Sequence, residues 1–251
     1  MFRKEPRMWY NASREEACIL PFTEDTLEFL VRNKLMDSRE WFHEHHGEYE
    51  RLVVEPMAEL VSALTPALAE IDPNIVCVPK VGKSISRIWR DTRRGPGLPI
   101  YRDVMWLTFL RAKQQGLPGF WFEFSPRALR WGCGWYQTEP ATMAAFRELI
   151  LRGDPAWRAA LRAYRKQERF VLEPERYKRS RFPDEAPEKR EWLDLKSICL
   201  THNEPDLELL FSDGLAARVA EDFRSIAPVY ELFLKAVAEA NAPPGAVGAR
   251  T

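Results

Sequence analysis

The chain has 251 residues, of which 45% are hydrophobic, and its 37 basic and 37 acidic residues give a formal net charge of zero. This composition excludes a disordered chain and a fibrous repeat. The balanced charge excludes a global field that would attract nucleic acid or anionic lipid, so any such binding depends on a local patch. The length allows one large domain or two small ones, and one domain is the favoured interpretation.

The cysteines and the N-terminus indicate the compartment. The four cysteines are far apart in the sequence and form no C-x-x-C pair, so neither a zinc site nor a disulfide framework is predicted. They are Cys18, Cys77, Cys133 and Cys199. The N-terminus lacks the basic and apolar run of a signal peptide, and no apolar stretch approaches the roughly 20 residues of a membrane helix. We therefore expect a soluble, cytoplasmic protein that makes no membrane contact.

The N-terminal part of the chain has helical patterning. Residues 1–20 are poorly patterned and are predicted to be poorly ordered. Thr23 is a good N-cap for a first helix, and Asp37 with Glu40 predicts the capping box of a second. Pro56 predicts either a kink or the start of a third helix.

After Asp72 the hydrophobic period changes from near 3.6 residues to near two, which is typical of strands. The predicted strands are Ile75 to Val78, Ile85 to Thr92, Val104 to Ala112, Phe120 to Ser125 and Leu129 to Tyr136. Their short connections predict antiparallel pairing, because a parallel return requires a long crossover. A meandering sheet is therefore expected over residues 75–136.

Helical patterning returns beyond Thr138. The predicted elements are a helix from Thr138 or Glu139, a helix from Asp154, strands at Phe170–Leu172 and Leu195–Thr201, and a closing helix from Ser212 to about Glu239. Residues 241–251 are predicted to form a flexible tail. The expected fold is a single α+β domain over residues 21–240, in which helices from both ends of the chain pack on the sheet.

Residues 84–94 combine a strand pattern with an unusual density of charge. The segment contains four arginines and one aspartate: Arg87, Arg90, Arg93, Arg94 and Asp91. A guanidinium is costly to bury unless a carboxylate or an anion compensates it. Three interpretations follow: an edge strand protected by charge, an anion-binding site, or internal ion pairs in which Asp91 holds an arginine such as Arg93.

The turn after this segment adds two candidate ligand-binding residues. Tyr101 and Arg102 follow a Gly-Pro-Gly sequence, where backbone can approach a ligand closely. Arg102 could contact a phosphate or stack on a base, although a solvated turn is an equally good interpretation. Neither a P-loop nor a G-x-G-x-x-G motif is present.

Glu123 is the candidate carboxylate of the sheet. It alternates with three phenylalanines in the sequence Phe-Trp-Phe-Glu-Phe-Ser, and we expect both faces of this strand to be covered. Glu123 then either pairs with an arginine such as Arg87 or Arg90, which is the favoured interpretation, or acts as a general acid with a raised pKa. The Gly132-Cys133-Gly134 sequence predicts close packing, a bulge, or a pocket with Cys133 at its base.

Other polar clusters carry weaker predictions. His46 and Glu50 have the spacing of a metal pair, but a solvated helix face is favoured and no metal site is predicted. His202 is expected to cap a helix. A second basic run, from Arg162 to Arg181, could contact nucleic acid, although a charged helix face and loop is the favoured interpretation.

The chain resembles the family catalogued as domain of unknown function 2461. The resemblance runs from about Phe22 to about Val237 and is centred on the I-x-R-I-x-R-D-x-R pattern of residues 85–93. The sequence departs from the family after Arg93, where Arg-Gly-Pro-Gly-Leu replaces a lysine-containing run, and at the additional residue Ile100. The resemblance implies one domain and a shared site around the arginine segment, but it implies no activity.

The sequence therefore predicts a small anionic or phosphate-bearing ligand in an arginine-lined cleft. The predicted ligand-binding residues are Arg87, Arg90, Arg93, Arg94, Tyr101 and Arg102, with Asp91 and Glu123 as orienting or acid/base carboxylates. Cofactor, reaction and oligomeric state are not predicted. The alternative is a non-enzymatic module that docks a protein or, less favoured, a nucleic acid. A concave pocket supports the first prediction, and an exposed flat patch supports the second.

Overall fold

The computed structural model describes residues 22–91, 93, 97–111, 117–135, 137–173 and 176–242. The predicted disordered segment 1–20, Arg94, and all but the first two residues of the predicted tail lie outside these ranges. The fold is α+β, as predicted, and consists of a six-stranded antiparallel sheet with helices from both ends of the chain.

The helices flank the sheet in sequence. The α-helices are α1 (Glu24–Met36), α2 (Arg39–Glu44), α3 (His46–Tyr49), α4 (Glu55–Ile71), α5 (Pro140–Leu151), α6 (Pro155–Lys166), α7 (Pro187–Leu193), α8 (Leu215–Ser225) and α9 (Ala227–Ala240). A π-helical turn, Glu50–Val54, joins α3 to α4, and a 3-10 helix, Leu207–Phe211, precedes α8. Pro56 lies in the first turn of α4, directly after the π-helical turn, so the predicted break falls inside a helical segment that continues from His46 to Ile71.

The sheet is built around the predicted meander. Its strands are β1 (Ile75–Val76), β2 (Met105–Arg111), β3 (Gly119–Ser125), β4 (Ala128–Gly134), β5 (Val171–Leu172) and β6 (Cys199–Glu204). The spatial order is β1-β2-β3-β4-β6-β5, and every neighbouring pair is antiparallel. The long excursion through α5, α6 and α7 therefore returns the chain to the free edge of β4.

The two faces of the sheet have different surroundings. Phe120 of β3 packs against Phe223 of α8 and Tyr230 of α9, with ring centroids 4.7 and 4.9 Å apart. On the opposite face, Trp121 and Glu123 are half-buried, and no described helix lines the cavity above them. The expectation that both faces of β3 are covered stays a prediction for this face, because residues 1–21 lie outside the described ranges. The alternation of apolar and polar residues along a strand indicates which side chains share a face, but it does not indicate what packs on that face.

The arginine segment is not the strand predicted over Ile85 to Thr92. Among its described residues the pairing consists of isolated bridges, from Ile85 to Val81 and Leu107 and from Trp89 to Tyr101. The Arg90 N–H donates to the Ile100 carbonyl at 2.7 Å, and the Arg102 N–H donates to the Ile88 carbonyl at 2.9 Å. Because β2 begins only at Met105, residues 88–90 pair with residues 100–102 instead of extending along the sheet.

Two predicted helix starts differ in the structure. Asp37 is the left-handed C-cap of α1, with φ of 44°, and Ser38 caps α2 by accepting a hydrogen bond from the Trp41 N–H. Asp37 instead accepts the Tyr101 N–H at 3.1 Å, which ties α1 to the arginine segment. The closing helix begins at Leu215 and is divided at Ile226 into α8 and α9. Pro228 follows this break and has no N–H to continue the α8 ladder.

The predicted strand Leu195–Thr201 begins later and extends further. Strand β6 starts at Cys199 and includes His202, so the predicted helix-capping role of His202 is wrong. Leu195 makes only an isolated bridge with Arg176.

Within the described residues, the continuous helical segment His46–Ile71 is long and apolar enough, by length and composition alone, to cross a membrane. Half of its most apolar window is buried inside the molecule. Its buried side chains include Leu60, Leu64 and Leu68, which belong to the hydrophobic core. Core packing therefore accounts for the apolar character of this segment.

Candidate functional site

The structure divides the predicted arginines into two groups. Arg87 is exposed beside the turn at Gly82, and Arg93 is exposed in an ion pair. Arg90 and Arg102 are half-buried and lie on neighbouring segments, where they are diagonal neighbours across the Trp89–Tyr101 bridge. We call Arg90 and Arg102 the arginine pair.

Asp91 is committed to Arg93. Two hydrogen bonds join them, from Arg93 Nε to Oδ1 at 2.8 Å and from Nη2 to Oδ2 at 3.0 Å. This is the bidentate contact predicted for Asp91. The Arg93 side chain is 88% exposed, so water screens the pair and its contribution to stability is small, about 0–1 kcal/mol.

The arginine pair has no carboxylate partner among the described residues. Asp91, next to Arg90, binds Arg93, and Asp103, next to Arg102, binds Lys34 at 2.8 Å and Arg127 at 2.7 Å. Neither guanidinium of the pair lies within 4.0 Å of a described acidic oxygen. The two carboxylates that neighbour the arginine pair in sequence, Asp91 and Asp103, therefore bind other cations.

Two further observations show that this arrangement disfavours positive charge. Burial, together with the nearby charge of Arg90, lowers the pKa of Arg102 below its usual range. The Nε of Arg90 is buried and finds no hydrogen-bond acceptor in the part of the chain that the structure describes. A buried guanidinium N–H without an acceptor is costly, so an acceptor for Arg90 Nε is not supplied by the described residues.

Trp106 connects the arginine pair to the open face of the sheet. The guanidinium carbon of Arg102 lies 4.7 Å from the centre of the Trp106 ring, and its Nη1 donates to the Arg87 carbonyl at 3.4 Å. Stacking on an indole restricts a guanidinium to a plane without consuming its hydrogen bonds. Trp106 is also part of the wall of a large cavity.

This cavity, the sheet cavity, has a volume of about 870 Å3. Its lining comes mainly from the open face of the sheet and adjoining loops, with Phe120 and Trp135, which also contact the helices, at one end: Trp106, Thr108, Leu110, Leu117, Gly119, Phe120, Trp121, Glu123, Arg130, Gly134, Trp135, Gln137, Glu173, Ser197, Cys199 and Thr201. The volume is in the range of small-molecule sites, and the lining combines aromatic rings with a few charged groups, as such sites do.

Gly132 allows Trp121 to lie against the sheet. The two residues are cross-strand partners on β3 and β4. A Cβ atom on Gly132 would lie 2.0 Å from the Leu200 carbonyl oxygen and 2.9 Å from Cζ2 of Trp121, so no larger residue fits. The close packing predicted for this glycine is confirmed, and it makes the Trp121 indole the floor of the sheet cavity.

Glu123 pairs with Arg130, its direct cross-strand neighbour. Arg130 Nε lies 2.6 Å from Glu123 Oε1, and its guanidinium lies 5.5 Å from the centre of the Trp121 ring. The hydrogen bond that Arg130 donates to Glu123 is the main cause that raises the pKa of Arg130. Pairing was predicted for Glu123, but the expected partners Arg87 and Arg90 are wrong, because strand register brings Arg130 opposite it.

The lining of the sheet cavity has more acidic than basic side chains. Glu173 is the second carboxylate of its lining, and its negative charge also raises the pKa of Arg130. Asn203 donates to Glu173 Oε1 at 2.8 Å. Two carboxylates and one guanidinium leave these three groups with one net negative charge, whereas the arginine pair beyond Trp106 is positive.

The two central cysteines lie on different faces. Cys133 is fully buried on the helix side, and desolvation raises its pKa well above the usual value, so it is not the base of a pocket. Cys199 lines the sheet cavity instead. Burial raises its pKa, although hydrogen bonds involving Thr201 and Trp121 act in the opposite direction. Neither thiol is activated as a nucleophile, because the thiolate form is disfavoured.

Tyr101 is packed in the hydrophobic core. It is only 4% exposed, its ring centroid lies 5.0 Å from that of Phe42, and burial is the main cause that raises its pKa. It does not line the sheet cavity. The structure therefore places Arg90 beside Arg102 and connects Arg102, through Trp106, to the sheet cavity that Glu123 lines. The arginine pair itself, Tyr101 and the Asp91–Arg93 pair are not part of that lining.

Sequence reasoning missed four residues of this region: Trp106, Trp121, Arg130 and Glu173. For the first three a signal existed, since alternation along β2, β3 and β4 places Trp106, Trp121 and Arg130 on one face once the register is known. Glu173 had no such signal, because it follows β5 and reaches the sheet only through the return of β6 to β4.

The remaining polar candidates lie elsewhere. His46 and Glu50 form an exposed pair 3.6 Å apart, and among the described residues no group of three or more potential ligands could hold a metal ion. His202 Nε2 lies 3.1 Å from Glu204 Oε2. Within the second basic run, Arg165, Arg169 and Arg176 pair with Glu188, Asp222 and Glu191.

Comparison with known proteins identifies the family but no characterised relative. No curated protein and no solved structure matches the chain. A family model described as a conserved hypothetical protein, DUF2461, matches residues 25–232, which include the arginine pair and the whole sheet. The chain therefore belongs to the DUF2461 family of conserved hypothetical proteins.

Proposed function

We propose that this protein binds a small anionic, phosphate-bearing ligand at the arginine pair. The observation that carries the proposal is the side-by-side placement of Arg90 and Arg102 with no carboxylate within 4.0 Å among the described residues, and with a buried Nε that lacks an acceptor. A phosphate group supplies both the compensating charge and acceptor oxygens for the guanidinium N–H groups.

The geometry favours this proposal over an edge strand protected by charge. Charges that prevent sheet aggregation work best in full solvent, whereas Arg90 and Arg102 are half-buried and burial already lowers the pKa of Arg102. Structural ion pairs are present nearby at Asp91 and Asp103, so the fold can compensate cations in this region. The arginine pair is left without such compensation, which is the pattern of a binding site.

Asp91 and Glu123 act in this proposal as orienting carboxylates. Each holds the guanidinium of a neighbouring arginine, Arg93 or Arg130, and is thereby prevented from neutralising the arginine pair. The proposal contains no chemical step.

A reducing compartment such as the cytoplasm is part of the proposal. Cys77, Cys133 and Cys199 are all free thiols. Free and partly accessible thiols are typical of proteins from reducing compartments.

Calorimetric titration with inorganic phosphate and pyrophosphate at low salt tests the proposal. We expect Arg90→Gln and Arg102→Gln each to weaken binding about 10- to 100-fold, because each removes a charge-assisted contact of about 1.5–3 kcal/mol. The matched control is Arg224→Gln, which removes a guanidinium paired with Glu70 on another part of the surface and leaves binding within about twofold. Unchanged affinity in both arginine-pair variants, or no binding of either anion to the unmodified protein, contradicts the proposal.

A further inference from the structure

We infer that the ligand held by the arginine pair also carries an amino-substituted planar heterocycle, which the sheet cavity receives between Trp106, Trp121 and its two carboxylates. This inference rests on the proposed function and adds the class of ligand: the chemistry is that of a nucleoside monophosphate with an amino group on its base. It follows from three features of the sheet cavity.

The first feature is the aromatic floor. Trp106 and Trp121 are on the same face of neighbouring strands, and Trp121 lies two residues before Glu123, the partner of Trp106. Such diagonal neighbours are roughly 7–8 Å apart, a separation that brings both indoles within reach of one planar ring. Indole rings bind planar heterocycles by stacking, whatever the identity of the base.

The second feature is an excess of hydrogen-bond acceptors. Glu123 uses Oε1 for Arg130, and Glu173 uses Oε1 for Asn203. In the described part of the chain, the Oε2 atom of each carboxylate makes no further side-chain hydrogen bond. Ionised carboxylates only accept, so the edge of a bound ring must present N–H groups to them. An exocyclic amino group satisfies this requirement, and a carbonyl oxygen is repelled.

The third feature is the spacing of opposite charges. The Arg102 guanidinium is 4.7 Å from the Trp106 ring, and Trp106 is directly opposite Glu123 across the β2–β3 pairing. Directly opposite side chains are about 5 Å apart at Cβ, so the cation and the carboxylate are separated by on the order of 10 Å. A nucleoside monophosphate spans this separation between its phosphate and the far edge of its base. A cavity of about 870 Å3 accommodates the base and sugar.

The inference predicts a preference between nucleotides that differ in one substituent. AMP and CMP present an amino group where IMP and UMP present a carbonyl oxygen. Because an acceptor facing an acceptor is left unpaired, we expect the amino nucleotide of each pair to bind at least tenfold more tightly. Ribose 5-phosphate, which keeps the anion and sugar but lacks the ring, is expected to bind at least tenfold more weakly than AMP.

Calorimetric titration of the full chain with AMP, IMP, CMP, UMP, ribose 5-phosphate and adenosine separates this inference from the proposed function. Equal affinities for ribose 5-phosphate and AMP, or no preference within either nucleotide pair, overturn the inference and leave phosphate binding intact. Equal affinities for adenosine and AMP overturn the assignment of phosphate to the arginine pair and, with it, this ligand class. No binding of any phosphate compound overturns both.

Two variants test the sheet cavity directly. Glu123→Gln keeps an acceptor for Arg130 but adds a donor, so it is expected to abolish the preference for AMP over IMP without changing ribose 5-phosphate affinity. Trp121→Leu is expected to weaken AMP binding at least tenfold and to leave ribose 5-phosphate unchanged. Glu208→Gln, an exposed change distant in sequence, is the control. The opposite pattern, with ribose 5-phosphate weakened as much as AMP, contradicts the inference, and circular dichroism verifies that each variant is folded.

Discussion

The two faces of the six-stranded sheet are made from the same strands but serve different purposes. On the helix face, Phe120, Phe122 and Phe124 are fully buried against aromatic and aliphatic side chains. On the open face, Trp121 and Glu123 alternate with them, remain half-buried and line the sheet cavity. The difference teaches that one strand can place aromatic side chains both in a core and, on its other face, beside charged groups around a cavity.

The ion pairs of the molecule repeat this contrast. Asp72, buried where β1 follows α4, is compensated by Arg111 at 2.5 Å and by the Tyr230 hydroxyl at 2.7 Å. Arg90 and Arg102 have no comparable partner among the described residues. The first arrangement compensates a buried charge within the fold, whereas the proposed function assigns the compensation of the second to a bound anion.

The largest expected effect concerns the two faces of β3. Phe122→Ala creates a cavity in the core and is expected to lower the free energy of unfolding by about 3–5 kcal/mol. Trp121→Ala, its neighbour on the open face, is expected to cost only about 1–2 kcal/mol, because the indole is partly solvated. Urea unfolding followed by circular dichroism measures both. Equal losses at the two positions would show that the open face is part of the core.

The next largest effect is the difference in stability between alanine substitutions at Gly132 and at Gly47. Gly132→Ala places a Cβ 2.0 Å from the Leu200 carbonyl oxygen and is expected to destabilise the protein by about 3 kcal/mol. Gly47→Ala, where no atom lies within 4 Å of the new Cβ, is expected to stabilise helix α3 by about 0.5–1 kcal/mol. Thermal denaturation compares the two. A neutral Gly132→Ala would contradict the close contact between Trp121 and β4.

The buried carboxylate of Asp72 makes the free energy of unfolding dependent on pH. Burial disfavours the charged form of Asp72, but hydrogen bonds from Arg111 and Tyr230 outweigh it and lower the pKa to about 2 from an unfolded value of 3.8. A depressed pKa contributes stability above the unfolded value that is lost as the pH falls towards 2. This contribution is about 2 kcal/mol.

Urea unfolding between pH 5 and pH 2 tests this assignment in the unmodified protein and in Asp72→Asn. The substituted protein is less stable at pH 5 and is expected to lose about 2 kcal/mol less on acidification. The same pH dependence in both proteins would assign the acid sensitivity to other carboxylates.

The smallest expected effect is at the arginine pair. Arg102→Met keeps an apolar stem against Trp106 and removes one of two repelling cations, so stability is expected to rise by about 0.5 kcal/mol at low salt. Differential scanning calorimetry in the absence and presence of 0.5 M salt measures the change, which salt should reduce. A loss of stability larger than about 1 kcal/mol would mean that Arg102 has a structural role.

The sequence predicted the local features of the fold correctly because short-range chemistry controls them. The change of hydrophobic period after Asp72, together with the short turns between β2, β3 and β4, was sufficient to predict an antiparallel meander. Asp154 was predicted to begin a helix, and its side chain accepts the Ala156 N–H at 2.9 Å. The arginine segment was recognisable by the cost of burying unpaired charge.

The partners of these residues were decided by tertiary structure. Glu123 meets Arg130 rather than Arg87 because strand register, not sequence proximity, places two side chains opposite each other. The late return of β6 to the edge of β4 brings Glu173 to the sheet cavity, and no described helix contributes to the lining of that cavity. The sequence alone determined the elements and the charge anomaly, since both depend on neighbours along the chain. Which face stayed open, and which arginines stayed uncompensated, depended on contacts between residues far apart in sequence.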